Sequence, residues 1–303
     1  MSRLVVALGG NALGPDPQDP TNPVDLGRLT RAAEVVAELA KDHGLVVTHG
    51  NGPQVGLLAA RSGGRRGSRV EGLDVFGAES QGMIGYLLER EVRSRIGERP
   101  LVTLLTQVVV DLDDSSAARP TKPIGTIVER RDAERCEREF GWTMAPVDGG
   151  WRRVVPSPRP VEILELEAVD LLVAAGHVVI CGGGGGIPVI VGERGELTGV
   201  EAVVDKDLTT ALLATRIEAD MLLLLTNADA IYSDWPQRSE RVQRIAVSEL
   251  RAMTLSEGSM GPKAEAAAAF VEATGKEAAI GSLDDASAVL EGSMGTRVVP
   301  DPH

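Results

Sequence analysis

Residues 177–189 read HVVICGGGGGIPV, residues 203–214 read VVDKDLTTALLA and residues 221–232 read MLLLLTNADAIY. An apolar, β-branched run, His177 to Cys181, stops in five glycines, Gly182 to Gly186. A strand that ends in consecutive glycines brings bare backbone N–H groups close to something, usually an anion. About 20 residues on, the spacing used by alternating strand and helix units, Asp205-Lys206-Asp207 opens a helix. Carboxylates on a first helical turn suit the helix dipole, but a lysine between them does not. The triplet reads either as an N-cap beside a solvated lysine or as a phosphate-handling lysine held by flanking aspartates. A second apolar strand, Met221 to Leu225, follows. Glycines, lysine and strand in that order point to a nucleotide site.

The same pattern recurs upstream. Arg3 to Leu8 reads as a buried strand that runs into Gly9-Gly10-Asn11. Asp25 to His43 has helical periodicity, with Leu26, Leu29, Ala33, Val36 and Leu39 on one face, Asp25 as N-cap and Gly44 as C-cap. Leu45 to Thr48 is a second strand and ends in Gly50-Asn51-Gly52, after which Gln54 to Arg61 starts a helix. Ser62 to Arg69 is a basic, glycine-rich loop. Ala78 to Ile96 is a long helix whose small residues, Ala78, Ser80, Gly82 and Gly85, permit close approach in the core or across a dimer interface. Leu101 to Val110 is strongly β-type, and Val161 to Gly176 is helical. Arg194 to Gly199 forms a hairpin-like turn. A helix follows Pro262, with Lys263 beside its start. Strands at Ala278 to Ile280 and Thr296 to Val299 flank a helix at Asp284 to Leu290. This alternation predicts an α/β fold, a mostly parallel sheet between helix layers.

Asp111 to Pro160 breaks the alternation. It is polar and proline-rich, and it contains Lys122-Pro123-Ile124-Gly125 and Gly150-Trp151-Arg152-Arg153. It reads as an excursion from the main sheet, a small subdomain or lid inserted into one domain spanning 1–303.

Composition narrows the function. The chain has 303 residues, 43% hydrophobic but 3% aromatic, so its core is built from Val, Leu, Ile and Ala. A formal net charge of −13 argues against nucleic-acid and anionic-membrane partners. The two cysteines, Cys136 and Cys181, have no metal-ligand spacing, and a reduced cytoplasm is the simplest setting. The opening MSRLVVALGG lacks signal-peptide design, and no apolar run reaches the ~20 residues of a membrane helix.

Four runs end in polar loops, the fourth being Thr226-Asn227-Ala228-Asp229. In an open α/β sheet such loops share the carboxyl edge, where ligands bind. Neither a Walker-A sequence, a Gly-x-Gly-x-x-Gly fingerprint nor a protein-kinase loop set is present. The histidines show no pairing with a nucleophile, and His49 reads as a packing or hydrogen-bonding residue. Phosphoryl transfer to an anionic oxygen needs no general base; it needs alignment and positive charge. A single lysine is ordinarily a solvated surface residue. Lys122, Lys206 and Lys263 all sit in glycine or proline frames, which points to a charge cluster. Arg152 and Arg153 are weaker candidates and read equally as a solvated turn.

Motif by motif, ALGGNAL (7–13), THGNGPQVG (48–56), AESQGMIGYLL (78–88), KPIG (122–125), GWRRVVPSP (150–158), CGGGGGIPV (181–189), DKDLTTALLA (205–214) and GSMGPKAEAA (258–267) resemble the carbamate kinases of the amino-acid-kinase superfamily. The resemblance runs through nearly the whole chain in the family's order. It implies a three-layer α/β/α sandwich, a homodimer and a protruding subdomain. It also implies reversible phosphoryl transfer between ATP and carbamate, giving ADP and carbamoyl phosphate, with Mg²⁺ accompanying the nucleotide. By the same resemblance, Gly9, Gly10, Asn11, Gly50, Asn51 and Gly52 would cradle carbamate and the moving phosphoryl group. Lys206 and Lys263 would neutralise ATP phosphates, Asp205 and Asp207 would hold the lysines, and Lys122 would reach in from the subdomain. Gly183, Gly184, Asn227, Asp229, Tyr232, Met260 and Gly261 would lie near the nucleotide. Where the superfamily's acetylglutamate kinases have a lysine two residues before the paired glycines, this chain has Ala7, and Lys122 would supply the charge. After KPIG the family often continues Pro-Phe-Tyr; here Thr126-Ile127-Val128 stands instead. Two rivals remain: a superfamily kinase acting on another small oxyanion, and a non-catalytic nucleotide sensor.

Overall fold

Eight strands build the central sheet of the computed structural model, which describes residues 1–9, 13–14, 22–62, 72–113, 119–234, 237–255 and 260–302. In chain order the elements begin β1 (Ser2–Leu8), α1 (Leu26–Ala40), β2 (His43–His49), α2 (Gly52–Arg61) and α3 (Leu73–Arg93). They continue β3 (Leu101–Thr103), β4 (Gln107–Val110), β5 (Lys122–Val128), α4 (Arg130–Phe140), β6 (Thr143–Val147), β7 (Gly150–Val155), β8 (Pro160–Ile163) and α5 (Leu166–Ala174). Next come β9 (Val178–Ile180), β10 (Ile187–Val191), β11 (Leu197–Gly199), α6 (Lys206–Arg216) and β12 (Met221–Thr226). The chain closes with β13 (Ile231–Tyr232), β14 (Arg241–Val242), β15 (Arg244–Ala246), α7 (Val247–Ala252), α8 (Met260–Thr274), β16 (Ala278–Ser282), α9 (Ala286–Glu291) and β17 (Thr296–Val299).

The central sheet runs β15-β17-β16-β12-β1-β2-β9-β3, and every pairing is parallel except β16 with β17. Period-2 alternation in β1 sends Leu4, Val6 and Leu8 to one face and Val5 and Ala7 to the other. The first face meets α1, α3 and α9 through Leu29, Ile84, Leu88 and Val289. The second meets α5, α6, α7 and α8 through Val169, Leu213, Leu250 and Phe270. Both faces are therefore buried, which is why the strands read as unbroken apolar runs. Among the described residues no helix is long and apolar enough to cross a membrane.

Several boundaries differ from the sequence reading. The helix after Asp25 ends at Ala40, and Gly44 lies inside β2, where a Cβ would come within 3.4 Å of Val173 Cγ1. The long helix starts at Leu73, not Ala78. Of its small residues, Ser80 and Gly85 are buried, while Gly82 is exposed. Residues 160–163 form a strand before the expected helix. The apolar stretch Leu101 to Val110 is two strands in two sheets. Gln81 divides it: its Oε1 accepts from Thr106 N at 2.9 Å and its Nε2 donates to Thr106 O at 3.1 Å. The loop at Ser62 to Arg69 falls, from residue 63 on, outside the described residues.

β4 joins a four-stranded sheet in the order β11-β10-β4-β8, in which Val110 pairs with Pro160. Between those two residues the chain builds a separate three-stranded antiparallel sheet, β5-β7-β6, with α4 packed on it. Ile124 and Val155 of this sheet pack with Val55, Ala59, Leu73, Phe76 and Val203, a third hydrophobic cluster.

Candidate active site

β1, β2 and β12 lie side by side, so their carboxyl ends open into one cleft. Gly9 N donates to Leu225 O at 2.9 Å, and Gly50 N donates to Leu8 O at 3.2 Å. The cleft is walled by Gly9, Gly50 to Pro53, Lys122, Ile124, Arg152, Gly184, Val203 to Asp207, Thr226, Pro262 and Lys263. Eleven residues of the α6 start, the β2 loop and the α8 start are thereby brought together with three residues of the three-stranded sheet, Lys122, Ile124 and Arg152.

Charge organises the floor. Asp205 is the N-cap of α6, its Oδ1 accepting from Asp207 N at 2.8 Å and Leu208 N at 3.3 Å. Its Oδ2 takes the ammonium of Lys122 from β5. Asp207 bridges the other two lysines: Lys206 Nζ donates to Oδ1 at 2.7 Å and Lys263 Nζ to Oδ2 at 3.1 Å. Asp205, Lys206, Asp207 and Lys263 are all less than one-tenth exposed. Burial pushes the Lys206 ammonium down from its ordinary value, with Asp207 opposing. Burial pushes the Asp207 carboxyl up, but Lys206, Lys263 and Lys122 together outweigh it and hold it well below the usual carboxylate range. Three cations against two anions leave a net positive floor for an anionic substrate.

Three of the five glycines of the run turn their amides into the fold. Gly182 N donates to Thr106 Oγ1, Gly185 N to Gly182 O and Gly186 N to Gly183 O, so these amides are spent inside the fold. The run's main effect is close packing. A Cβ on Gly184, whose φ is +67°, would lie 2.0 Å from Asn51 Nδ2. A Cβ on Gly183 would lie 2.5 Å from His49 Cε1. Asn51 donates to Ser80 Oγ at 2.8 Å, and Gly184 is the glycine of the run that reaches the cleft wall. His49 is buried beside it, with Nδ1 donating to Gly50 O at 3.2 Å, and burial lowers its pKa to about 4.

Gly10 and Asn11 lie outside the described residues. Gly183, Asn227, Asp229, Tyr232, Met260 and Gly261 do not wall the cleft. Tyr232 instead donates its hydroxyl to Asp229 Oδ2 at 2.8 Å. The sequence left Arg152 and Arg153 undivided. Successive strand residues face opposite ways, and in β7 Arg153 stacks over Trp142, 4.4 Å from the ring centroid, while Arg152 enters the cleft wall. Thr226, the first residue of the fourth polar loop, and Pro262, beside Lys263, are further wall residues.

The model of the amino acid kinase family matches residues 2–282. The chain is 46% identical over 302 residues to the carbamate kinase of Rhizobium meliloti, covering 98% of this chain and 93% of the relative. With the carbamate kinase of Haemophilus influenzae it shares 43% identity over 298 residues, 98% of this chain and 96% of the relative. Among solved structures, carbamate kinase from Giardia lamblia bound to citric acid superposes with a TM-score of 0.90 at 35% identity, covering 99% of both chains. The same Giardia lamblia enzyme bound to AMP-PNP gives 0.85 at 36% identity, again over 99% of both chains. With the fold, the motif order and this coverage in agreement, the chain belongs to the amino acid kinase family and, within it, to the carbamate kinases.

Proposed function

We propose that this chain transfers a phosphoryl group reversibly between ATP and carbamate, giving ADP and carbamoyl phosphate. The observation that carries the reading is the convergence of Lys122, Lys206 and Lys263 on Asp205 and Asp207 at the carboxyl edge of the sheet. A carbamate oxygen attacks the γ-phosphorus, the new O–P bond forms, and the bond to the β-phosphate oxygen breaks with its electron pair leaving on ADP. No proton moves, so the cleft's lack of a base-like histidine is no obstacle. The lysines neutralise charge on the moving phosphoryl group, and Gly9 with Gly50, Asn51 and Gly52 holds the acceptor end. Gly10 and Asn11 belong to the same cradle by their place in the motif. Asn227, Asp229, Tyr232, Met260, Gly261 and Gly183 are assigned to the outer, nucleotide end.

Magnesium would enter with the nucleotide. Both cleft carboxylates are committed to lysines, and among the described residues no group of three His, Cys, Asp or Glu side chains could hold a metal. Phosphate oxygens and water would supply the ion's ligands, as Mg²⁺ commonly prefers.

Residues 111–160 are read as a lid inserted into a single domain. The chain leaves the four-stranded sheet at Val110, returns at Pro160, and carries Lys122 on the intervening sheet. A second copy of the chain is assigned to the face beside edge strand β3, where Tyr86 and Leu105 are exposed. Light scattering at micromolar concentration tests the dimer. Free Cys136 and Cys181 fit a reducing cytoplasm. The activity itself is tested by phosphorylating ADP from carbamoyl phosphate, with acetyl phosphate as the control donor. Absence of ATP formation from carbamoyl phosphate would overturn the reading.

A further inference from the structure

We propose that Arg152 is a specificity-determining residue at the acceptor end of the cleft, where its guanidinium binds the planar carboxylate-type group of the acceptor. The proposal rests on the phosphoryl-transfer reading above and goes beyond its three lysines.

The placement of Arg152 follows from a break in the three-stranded sheet. Ile124 pairs with Arg153 and Val128 with Trp151, so three residues of β5 face Arg152 alone across a bulge. Gly125 lies in that bulge with φ +75°. A bulge releases backbone groups from the ladder and re-aims side chains. The released Gly125 carbonyl accepts from Arg152 Nε at 2.8 Å. Gly125 is itself pressed on α2: a Cβ on Gly56 would fall 2.0 Å from Gly125 Cα. The guanidinium is thus anchored at one nitrogen to a backbone seated against the helix that begins at Gly52.

The rest of the guanidinium is left for a ligand. Among the described residues, the Nε bond to Gly125 is the guanidinium's hydrogen bond, and Nη1 and Nη2 make no hydrogen bond or ion pair. The side chain is half-buried in the cleft wall, and burial pushes its pKa down. An arginine that loses solvent without gaining a carboxylate is poised for an external anion. The three lysines already answer the point charges of a phosphate chain. A planar fork with two parallel N–H donors matches a two-oxygen planar group better than an ammonium does. Gly50 to Pro53, which the phosphoryl-transfer reading assigns to the acceptor end, line the same cleft as Arg152, and α2, which starts among them, seats the Gly125 that anchors it. When carbamoyl phosphate donates to ADP, the P–O bond to the carbamate oxygen breaks and the electron pair stays on that oxygen. The guanidinium would stabilise the carboxylate as it forms.

The test uses Arg152→Met, which keeps an unbranched stem, and Arg152→Lys, which keeps the charge without the fork. KM and kcat are measured for carbamoyl phosphate and for ADP. Calorimetric titration of phosphonoacetate, an unreactive compound that joins a two-oxygen carboxylate to a phosphonate through carbon, reads acceptor-end binding without turnover. The expected result for Arg152→Met is a fall of about 10- to 100-fold in phosphonoacetate affinity and in kcat/KM for carbamoyl phosphate, the range of a lost charged hydrogen-bond pair. The KM for ADP should stay within about threefold, and Arg152→Lys should restore only part of the loss. Equal losses for ADP and phosphonoacetate would overturn the proposal by making Arg152 a general charge, and no loss for either would overturn it outright. A wild-type protein that binds phosphonoacetate but makes no ATP would overturn the functional reading, while the Arg152→Met titration still decides the binding role. A wild-type protein that binds no phosphonoacetate would overturn the proposal.

Discussion

The ammonium of Lys122 in β5 meets Oδ2 of Asp205, the N-cap of α6, 83 positions away in sequence. One carboxylate therefore does two things: Oδ1 caps the helix and Oδ2 locates a cation of the inserted sheet. Substitutions separate them. Asparagine caps as well as aspartate, so Asp205→Asn should keep near wild-type stability while lowering kcat through a displaced Lys122. Asp205→Ala should lose both, with about 1 kcal/mol of stability gone with the cap. Paired urea titrations and kinetics check this; equal destabilisation in both variants would show that charge, not capping, governs the site's stability.

Lys206 and Lys263 share Asp207 as their common partner. Lys263→Ala should cut kcat by ~10²–10³, the usual consequence of removing one charge-stabilising group at a reacting centre. Asp207→Asn should cost on the order of 3 kcal/mol of stability, because two buried cations lose their shared anion. Steady-state kinetics and chemical denaturation read the two effects independently. A kcat for Lys263→Ala within a few-fold of wild type would remove this lysine from the mechanism.

The strands were legible because both sheet faces are buried, so β1 and β12 carry uninterrupted apolar runs. Lys206 was legible because a lysine between two aspartates at a helix start contradicts local preference. The break inside Leu101 to Val110 was not, since the stretch is apolar throughout and Gln81 divides it from a different element. The packing task of the glycine run was hidden for the same reason: His49 and Asn51 approach from the end of β2 and the loop after it. Arg152 was illegible because its direction depends on the register and bulge of β5 with β7, which GWRR alone does not encode.

Gly56 in α2 gives a prediction against ordinary helix propensity. Alanine in place of a helical glycine commonly gains about 0.5–1 kcal/mol. Here the added Cβ would overlap Gly125 Cα at 2.0 Å. Gly56→Ala should therefore lose about 1–3 kcal/mol, the range of overpacking. It should also lower kcat, because Lys122 and Arg152 ride on the displaced sheet. Thermal melting with kinetics decides it; a stabilised variant of normal kcat would mean the two glycines part in solution.

His49 makes stability fall on acidification. Its ordinary pKa of 6.5 drops to about 4 in the fold, chiefly through burial, with the Lys206 charge adding to the effect. Between those values the unfolded chain binds a proton that the folded chain refuses. The contribution is fully present above pH 6.5 and is lost as pH falls toward 4. An interval of about 2.5 pH units corresponds to on the order of 3 kcal/mol. Urea midpoints at pH 7.5 and 4.5 should differ strongly in wild type and much less in His49→Asn. Parallel curves for the two proteins would assign the acid sensitivity elsewhere.

Lys122 differs from the other two lysines in what holds it. Lys206 and Lys263 stand at the starts of α6 and α8, whereas Lys122 comes from the three-stranded sheet and is the more exposed side chain, at 29%. Pro123 fixes the backbone beside it. Ala7 leaves the first glycine loop without a cation of its own, so the reacting end depends on charge delivered from outside. Substrate phosphate entering the cleft competes with Asp205 for the Lys122 ammonium. A charge that is strongest at the moving phosphoryl group stabilises the transition state more than the bound nucleotide. Lys122→Ala should therefore lower kcat by ~10²-fold or more while ADP affinity stays within a few-fold. Calorimetric titration of ADP and single-turnover rates from carbamoyl phosphate measure the two sides. An unchanged rate would remove Lys122 from the mechanism, and ADP binding lost altogether would place its positive charge on the nucleotide rather than on the group in transfer.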